Sequence, residues 1–180
     1  MMPRLLRTLR LDPSDTLVFP RAAEPGEWAV PGGFCFWDDT PETLTGKRQQ
    51  AFRGGFLGLS SFGWSTLVEV TEATAAERDA ALTALADHIR AAYGAPDDAA
   101  ARGAAEEELR FAESLCDQPP GTVLALTRRN EAGEVREAFR TLHRRETPHR
   151  DFGALPVFAI AEIEEDGPEE RPDLTRISRS

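Results

Sequence analysis

Only two cysteines, Cys35 and Cys116, occur in the 180 residues. They form no CxxC pair and no framework. Neither a zinc site nor a disulfide scaffold is implied, and reduced thiols in a cytoplasmic protein are the expectation. Long apolar runs are missing as well. Met1 to Leu11 interleaves Arg4, Arg7 and Arg10 with leucines, so no signal-peptide core forms, and no stretch reaches membrane-spanning length. Positive charge is scarce: 21 Lys and Arg against 31 Asp and Glu leave a net charge of −10. A nucleic-acid binder needs basic surface to release counterions from phosphates, and an anionic membrane attracts polybasic segments, so neither partner is expected. GxSxG, HExxH and GK[ST] are all absent, and no internal repeat is found. No nucleophile, metal or cofactor is therefore expected.

What is present suits one folded domain. Hydrophobic residues make up 41% of the chain and charged residues 29%, the composition of a soluble globular protein long enough for one proper core. Arg4 to Leu11 alternates as a half-buried strand. Asp12 to Asp15 reads as a turn, Thr16 to Phe19 as a short strand, and Glu27 to Val30 and Gly33 to Trp37 as two more. Thr40-Pro41 looks like a helix entrance, with the helix delayed by Gly46 and ending near Arg53. Phe56 to Ser61 reads as a glycine-containing link, and Phe62 to Thr71 as a strand.

Thr74 to Glu77 is a capping box. The helix it opens repeats Leu82, Leu85, Ile89 and Tyr93 on one face and closes at Gly94. Asp97 or Asp98 caps a further helix to about Cys116. Thr122 to Arg128 and Glu134 to His143 form a hairpin around 129–133. A loop spans Arg144 to Asp151, and Ala154 to Ile163 is the last strand. Strands at both ends with helices between them predict a single α+β domain over residues 1–165. Its sheet is mainly antiparallel, with three central helices packed on one face. An acidic, proline-bearing tail over 166–180 is expected to be loose.

Several runs carry a resemblance: Arg7 to Asp15, Glu24 to Gly32, Gly54 to Gly58 through Gly63 to Thr66, Glu106 to Glu108, and Arg136 to Thr141. Over roughly residues 5 to 145 the chain resembles a small bacterial family known only as a domain of unknown function. The resemblance implies no activity, cofactor or catalytic residue.

Four places invite a chemical reading. Gly54, Gly55, Gly58 and Gly63 could cradle a phosphate through backbone N–H groups. Their order of helix, glycines, strand is the reverse of the dinucleotide fingerprint, which favours close packing under Phe56, Phe62 and Trp64 instead.

Glu108 is sharper. At 100° per residue it falls in the middle of an apolar face made by Ala101, Ala105, Leu109, Ala112, Leu115 and Cys116. A carboxylate there must be paired, hydrogen-bonded or carried at a raised pKa, which is how general acids and bases are made. Its bland reading is an ion pair with an arginine of the sheet, or an alanine face shallow enough to leave it wet. Residues 120–150 hold seven Arg against four Glu, and residues 97–117 seven acids against two Arg, so the two segments are complementary in charge. Arg136 and Arg140 share strand parity and could bind an anion together, or form a solvated face.

Trp28, Phe34, Phe36 and Trp37 crowd ten residues. They read as core, or in part as the lining of a pocket or partner surface, with Trp64 as a further aromatic of the same kind. His143, Glu146 and His149 recur at three, but Pro148 opposes the helix a metal stripe would need.

Two function classes follow. One is a non-catalytic binding or accessory protein that holds an anionic small molecule or a protein partner on an aromatic and arginine surface. The other is an enzyme with Glu108 as general acid/base and Arg136 and Arg140 orienting an anionic substrate. The oligomeric state stays open, a homodimer included.

Overall fold

The computed structural model describes residues 2–145 and 159–163. The strands are β1 (Arg4–Leu9), β2 (Trp28–Val30), β3 (Phe56–Gly58), β4 (Trp64–Ser65), β5 (Leu67–Glu72), β6 (Val123–Glu131), β7 (Glu134–Arg145) and β8 (Ala159–Ile163). They form one sheet in the order β4-β3-β2-β1-β5-β6-β7-β8, antiparallel at every pairing. The α-helices are α1 (Ser14–Val18), α2 (Gly46–Gly54), α3 (Ala75–Tyr93) and α4 (Asp98–Ser114). The chain is a single α+β domain.

Register identifies the core face. Leu6 lies opposite Val70, Val68 opposite Leu124, and Leu126 opposite Phe139. Directly opposed residues leave a sheet on the same side, and all six belong to the apolar core or pack against it. Over that face α4 lies on β1 and β2, α2 lies on β6, and α3 packs on α4. The sheet is strongly curled. Phe56 on β3 and Phe139 on β7 are five strand steps apart, which would separate them by about 24 Å in a flat sheet. Their ring centroids are 6.3 Å apart, so the curl brings the two ends of the sheet around a shared interior.

The long helices begin and end where their side chains dictate. Thr74 and Glu77 reciprocally take each other's backbone N–H groups, and Gly94 ends α3 at φ 73. Asp97 accepts from Ala100 N–H at 2.8 Å to start α4. The β6–β7 hairpin closes through Ala132 and Gly133 at φ 55 and 84, the two left-handed positions of a type I′ turn. Its strands run on into the stretch expected as loop.

Elsewhere the structure corrects the sequence reading. Thr16 to Phe19 is not a strand. Asp12 accepts from the Ser14 N–H at 2.9 Å, and the Thr16 hydroxyl donates to Pro13 C=O at 2.6 Å, so local side-chain bonds close a helical turn, α1. Gly33 to Trp37 is not a strand either. Gly32 at φ 78 turns the chain left-handed, and Gly33–Phe36 coils into a 3-10 turn. The helix expected from Thr40 begins only at Gly46, because the Thr43 hydroxyl and the Asp39 carboxylate tie residues 39–44 into a turn. The glycine link contains β3. The strand expected over Phe62 to Thr71 is divided into β4 and β5 at Thr66, whose N–H and hydroxyl both donate to the buried Asp15. Of the last expected strand only 159–163 falls among the described residues, and the tail over 166–180 lies outside them.

Candidate functional site

Glu108 lies among the residues α4 buries, Ala101, Ala105, Leu109 and Ala112, and is itself half-buried. Its Oε2 accepts the N–H of Gly32 at 2.8 Å, at the start of the 3-10 turn. Burial pushes its carboxyl pKa up and the nearby Glu137 adds to this, while the Gly32 N–H and Arg128 oppose it. Arg128, 1% exposed, is the largest fully buried side chain among the described residues. Its Nε donates to Glu137 Oε2 at 2.8 Å, Nη1 to Phe52 C=O at 2.7 Å and Nη2 to Pro31 C=O at 2.8 Å. One guanidinium thus ties together the end of α2, the end of β2, β6 and β7. It leaves Glu108 the second carboxylate beside a single buried cation.

That arrangement gives Glu108 a testable signature. Below the ordinary carboxylate range both folded and unfolded chains hold its proton and it contributes no pH dependence. Above that range the unfolded chain releases the proton first, so stability falls as pH rises through the raised folded value. The amide of Glu108→Gln can still accept from Gly32 but cannot ionise. The unfolding free energy of the variant relative to wild type should rise as pH climbs above the ordinary carboxylate range, from about pH 4 upward, and level off once the raised folded value is passed. A difference that stays flat in urea titrations across that range would remove the raised carboxyl.

Arg136 and Arg140 do not meet Glu108. Arg128 lies opposite Glu137 in the β6–β7 register, so Glu137 points to the helices and its neighbours Arg136 and Ala138 to the other face, as does Arg140. Arg136 pairs with Glu131 at 3.2 Å and Glu134 at 3.3 Å within the hairpin itself, and Arg140 is exposed. Two other acids of α4 turn to α3: Arg78 donates to Glu113 at 2.7 Å and Glu106 at 2.9 Å. Charge complementarity between the α4 segment and the hairpin is therefore not realised as direct pairs at these positions.

The crowded aromatics divide. Phe36 and Trp64 pack at 5.1 Å in the core. Trp28 is half-buried beneath Arg7, whose guanidinium stands 4.4 Å from its ring. Trp37 is 77% exposed. It begins a continuous ladder of rings: Trp37 to Phe34 at 6.4 Å, Phe34 to Tyr93 at 5.3 Å, Tyr93 to His88 at 5.7 Å and His88 stacked on Phe62 at 3.8 Å. Tyr93, read from the sequence as part of the packed face of its helix, is 44% exposed. Burial holds the His88 pKa below its usual value, and the Cys35 thiol beside Tyr93 is pushed up to about 11, chiefly by burial, which leaves it inert at neutral pH.

Both ends of the ladder hang on carboxylates that accept backbone N–H groups. Glu108 holds Gly32, where the turn carrying Phe34 and Trp37 begins. At the other end the buried Glu27 accepts from Ser60 N–H at 2.9 Å, Ser61 N–H at 2.8 Å and Glu24 N–H at 2.6 Å. This fixes the loop that presents Phe62 at φ 58. The glycines of the link serve this packing. A Cβ on Gly58 would stand 2.4 Å from Glu27 Oε1, one on Gly55 3.0 Å from Trp64, and one on Gly63 2.6 Å from the Ala22 backbone.

Among the described residues no three or more His, Cys, Asp or Glu converge as metal ligands would. Of the His143, Glu146 and His149 series only His143 lies among those residues. No helix of the described residues is long and apolar enough to cross a membrane. No curated protein and no solved structure matches the chain. A model of a family of unknown function matches residues 2–162. The chain belongs to that family, DUF6505.

Proposed function

We propose that the protein is a non-catalytic binding protein that holds a protein partner on the ring ladder from Trp37 to Phe62. The observation that carries this reading is Trp37: a tryptophan 77% exposed, on a turn anchored by Gly32 and Glu108, has no packing task large enough to account for it. Large exposed rings joined into one patch mark interaction surfaces more than folding cores. Of the two ligand classes the sequence leaves open, the partner protein fits better, because Arg136 and Arg140 stand on the other sheet face from the groups that hold the ladder.

The test pairs stability with partner capture by the full chain. Trp37→Ala should leave unfolding free energy within about 0.5 kcal/mol of wild type, while a partner captured by wild type and by Trp28→Ala should be lost. Capture that is independent of Trp37 would reject this reading.

A second reading, an enzyme with Glu108 as general acid/base, is favoured by its raised carboxyl. In that reading Arg136 and Arg140 no longer orient the substrate. Glu108→Gln would abolish turnover with the fold intact, whereas the binding reading expects capture to persist in that variant.

A further inference from the structure

Resting on the binding reading above, the geometry points to the chemistry of the partner: an arginine-bearing protein segment whose guanidinium seats on the Trp37 ring. Three observations carry it. First, the chain already treats its aromatics this way. Arg7 stands 4.4 Å over Trp28, Arg48 5.0 Å over Phe36 and Arg128 5.5 Å over Phe36. Trp37 is more exposed than any of these rings, and among the described residues no arginine stacks over it. A tryptophan face is the best side-chain site for a cation, and arginine is the commoner occupant.

Second, two of the chain's own arginines on elements next to the ladder are committed elsewhere. Arg48 donates to both carboxylate oxygens of Asp39 and Arg90 pairs with Asp98. Third, exposed acids without such partners stand close in sequence to ring residues of the ladder. Asp38 follows Trp37, Glu42 comes a few residues after Asp38, and Asp87 precedes His88; all three are exposed and none forms an ion pair among the described residues. Exposed carboxylates around electron-rich rings complement a guanidinium: the ring face meets the delocalised cation while the carboxylates accept its N–H groups. With a net charge of −10, the chain also attracts such a segment at long range. An acidic peptide or an anionic small molecule would meet repulsion at the same place.

The experiment uses the full chain and three labelled peptides of one length, in which glycine alternates with arginine, citrulline or glutamate. Binding is followed by anisotropy at about 0.15 M salt. The arginine peptide should bind at least about tenfold more tightly than its citrulline counterpart, and the glutamate peptide should not bind. Trp37→Ala should weaken the arginine peptide about fivefold to tenfold, Asp38→Asn with Asp87→Asn should weaken it about threefold or more, and Trp28→Ala should leave it unchanged. Equal binding to wild type and Trp37→Ala would reduce the effect to general attraction by an acidic protein and overturn the inference. Binding of the glutamate peptide, or of no peptide, would overturn it too. In each of those cases the capture test still decides whether the ladder binds a partner at all. If capture itself does not depend on Trp37, the binding reading and this inference fall together.

Discussion

Arg128→Met should cost the protein about 3–5 kcal/mol of unfolding free energy, the usual loss when one member of a buried charged network is removed. The methionine fills much of the space but donates nothing. The Phe52 and Pro31 carbonyls lose their strongest guanidinium partners, at 2.7 and 2.8 Å in the native protein, and Glu137 loses its cation at 2.8 Å. Each buried acceptor left unpaired carries its own desolvation penalty. Arg128→Lys tests whether charge alone suffices. A single ammonium cannot reach three directions from one plane, so about 2 kcal/mol should still be lost. Urea titrations of the two variants measure both. A methionine variant within about 1 kcal/mol of wild type would show that the four elements meeting at Arg128 are held by apolar packing instead.

Glu27→Ala is expected to lose a similar amount, about 3–5 kcal/mol, since hydrogen bonds to a charged group are worth about 1.5–3 kcal/mol each and three backbone donors depend on this carboxylate. Glu27→Gln sharpens the assignment. The amide oxygen can keep the Ser60 and Ser61 bonds, but its NH2 then faces the N–H of Glu24, donor against donor, and about 2 kcal/mol should go. Local hydrogen exchange gives the diagnostic readout: the Ser60 and Ser61 amides should lose protection in the alanine variant and retain it in the glutamine variant. Uniform loss across the sheet in both would mean that Glu27 supports the fold at large and not this loop.

The parts of the fold legible in the sequence were those whose signals are local. The capping box at Thr74 and Glu77, Gly94 and Asp97 fixed the long helices, and 3.6-residue spacing placed Glu108 on the buried side of α4. Structure and sequence reading part where a side chain reaches across the fold. Nothing near Thr66 announces that Asp15, fifty-one residues earlier, will take its N–H and hydroxyl and split a strand in two. Gly32 lies between two runs that read as short strands, and only its left-handed φ shows that it starts a coil. Among the site residues, Arg128 left one usable trace: it continues the parity of Leu124 and Leu126, so a basic residue stands on the apolar face of β6. Among the seven arginines of residues 120–150 that trace does not stand out. Arg136 and Arg140 showed the reverse problem. Their shared parity was legible, but which face that parity meant depended on where the helices lie. The ladder was half visible, as the cluster around Trp37, while its continuation through Tyr93 and His88 depends on how α3 packs against a distant turn.

The short β4 strand at one margin of the sheet bears on assembly. Its outward side is not open: Ala22 bridges Trp64 in parallel, the Trp64 N–H donates to Arg21 C=O at 2.8 Å and the Ala23 N–H donates to Trp64 C=O at 2.9 Å. An incoming strand would find the donors and acceptors at that margin already spent, and two residues offer too little length to template one. Copies of this chain therefore cannot polymerise by extending the sheet past β4, and any pairing on that flank has to proceed through side chains.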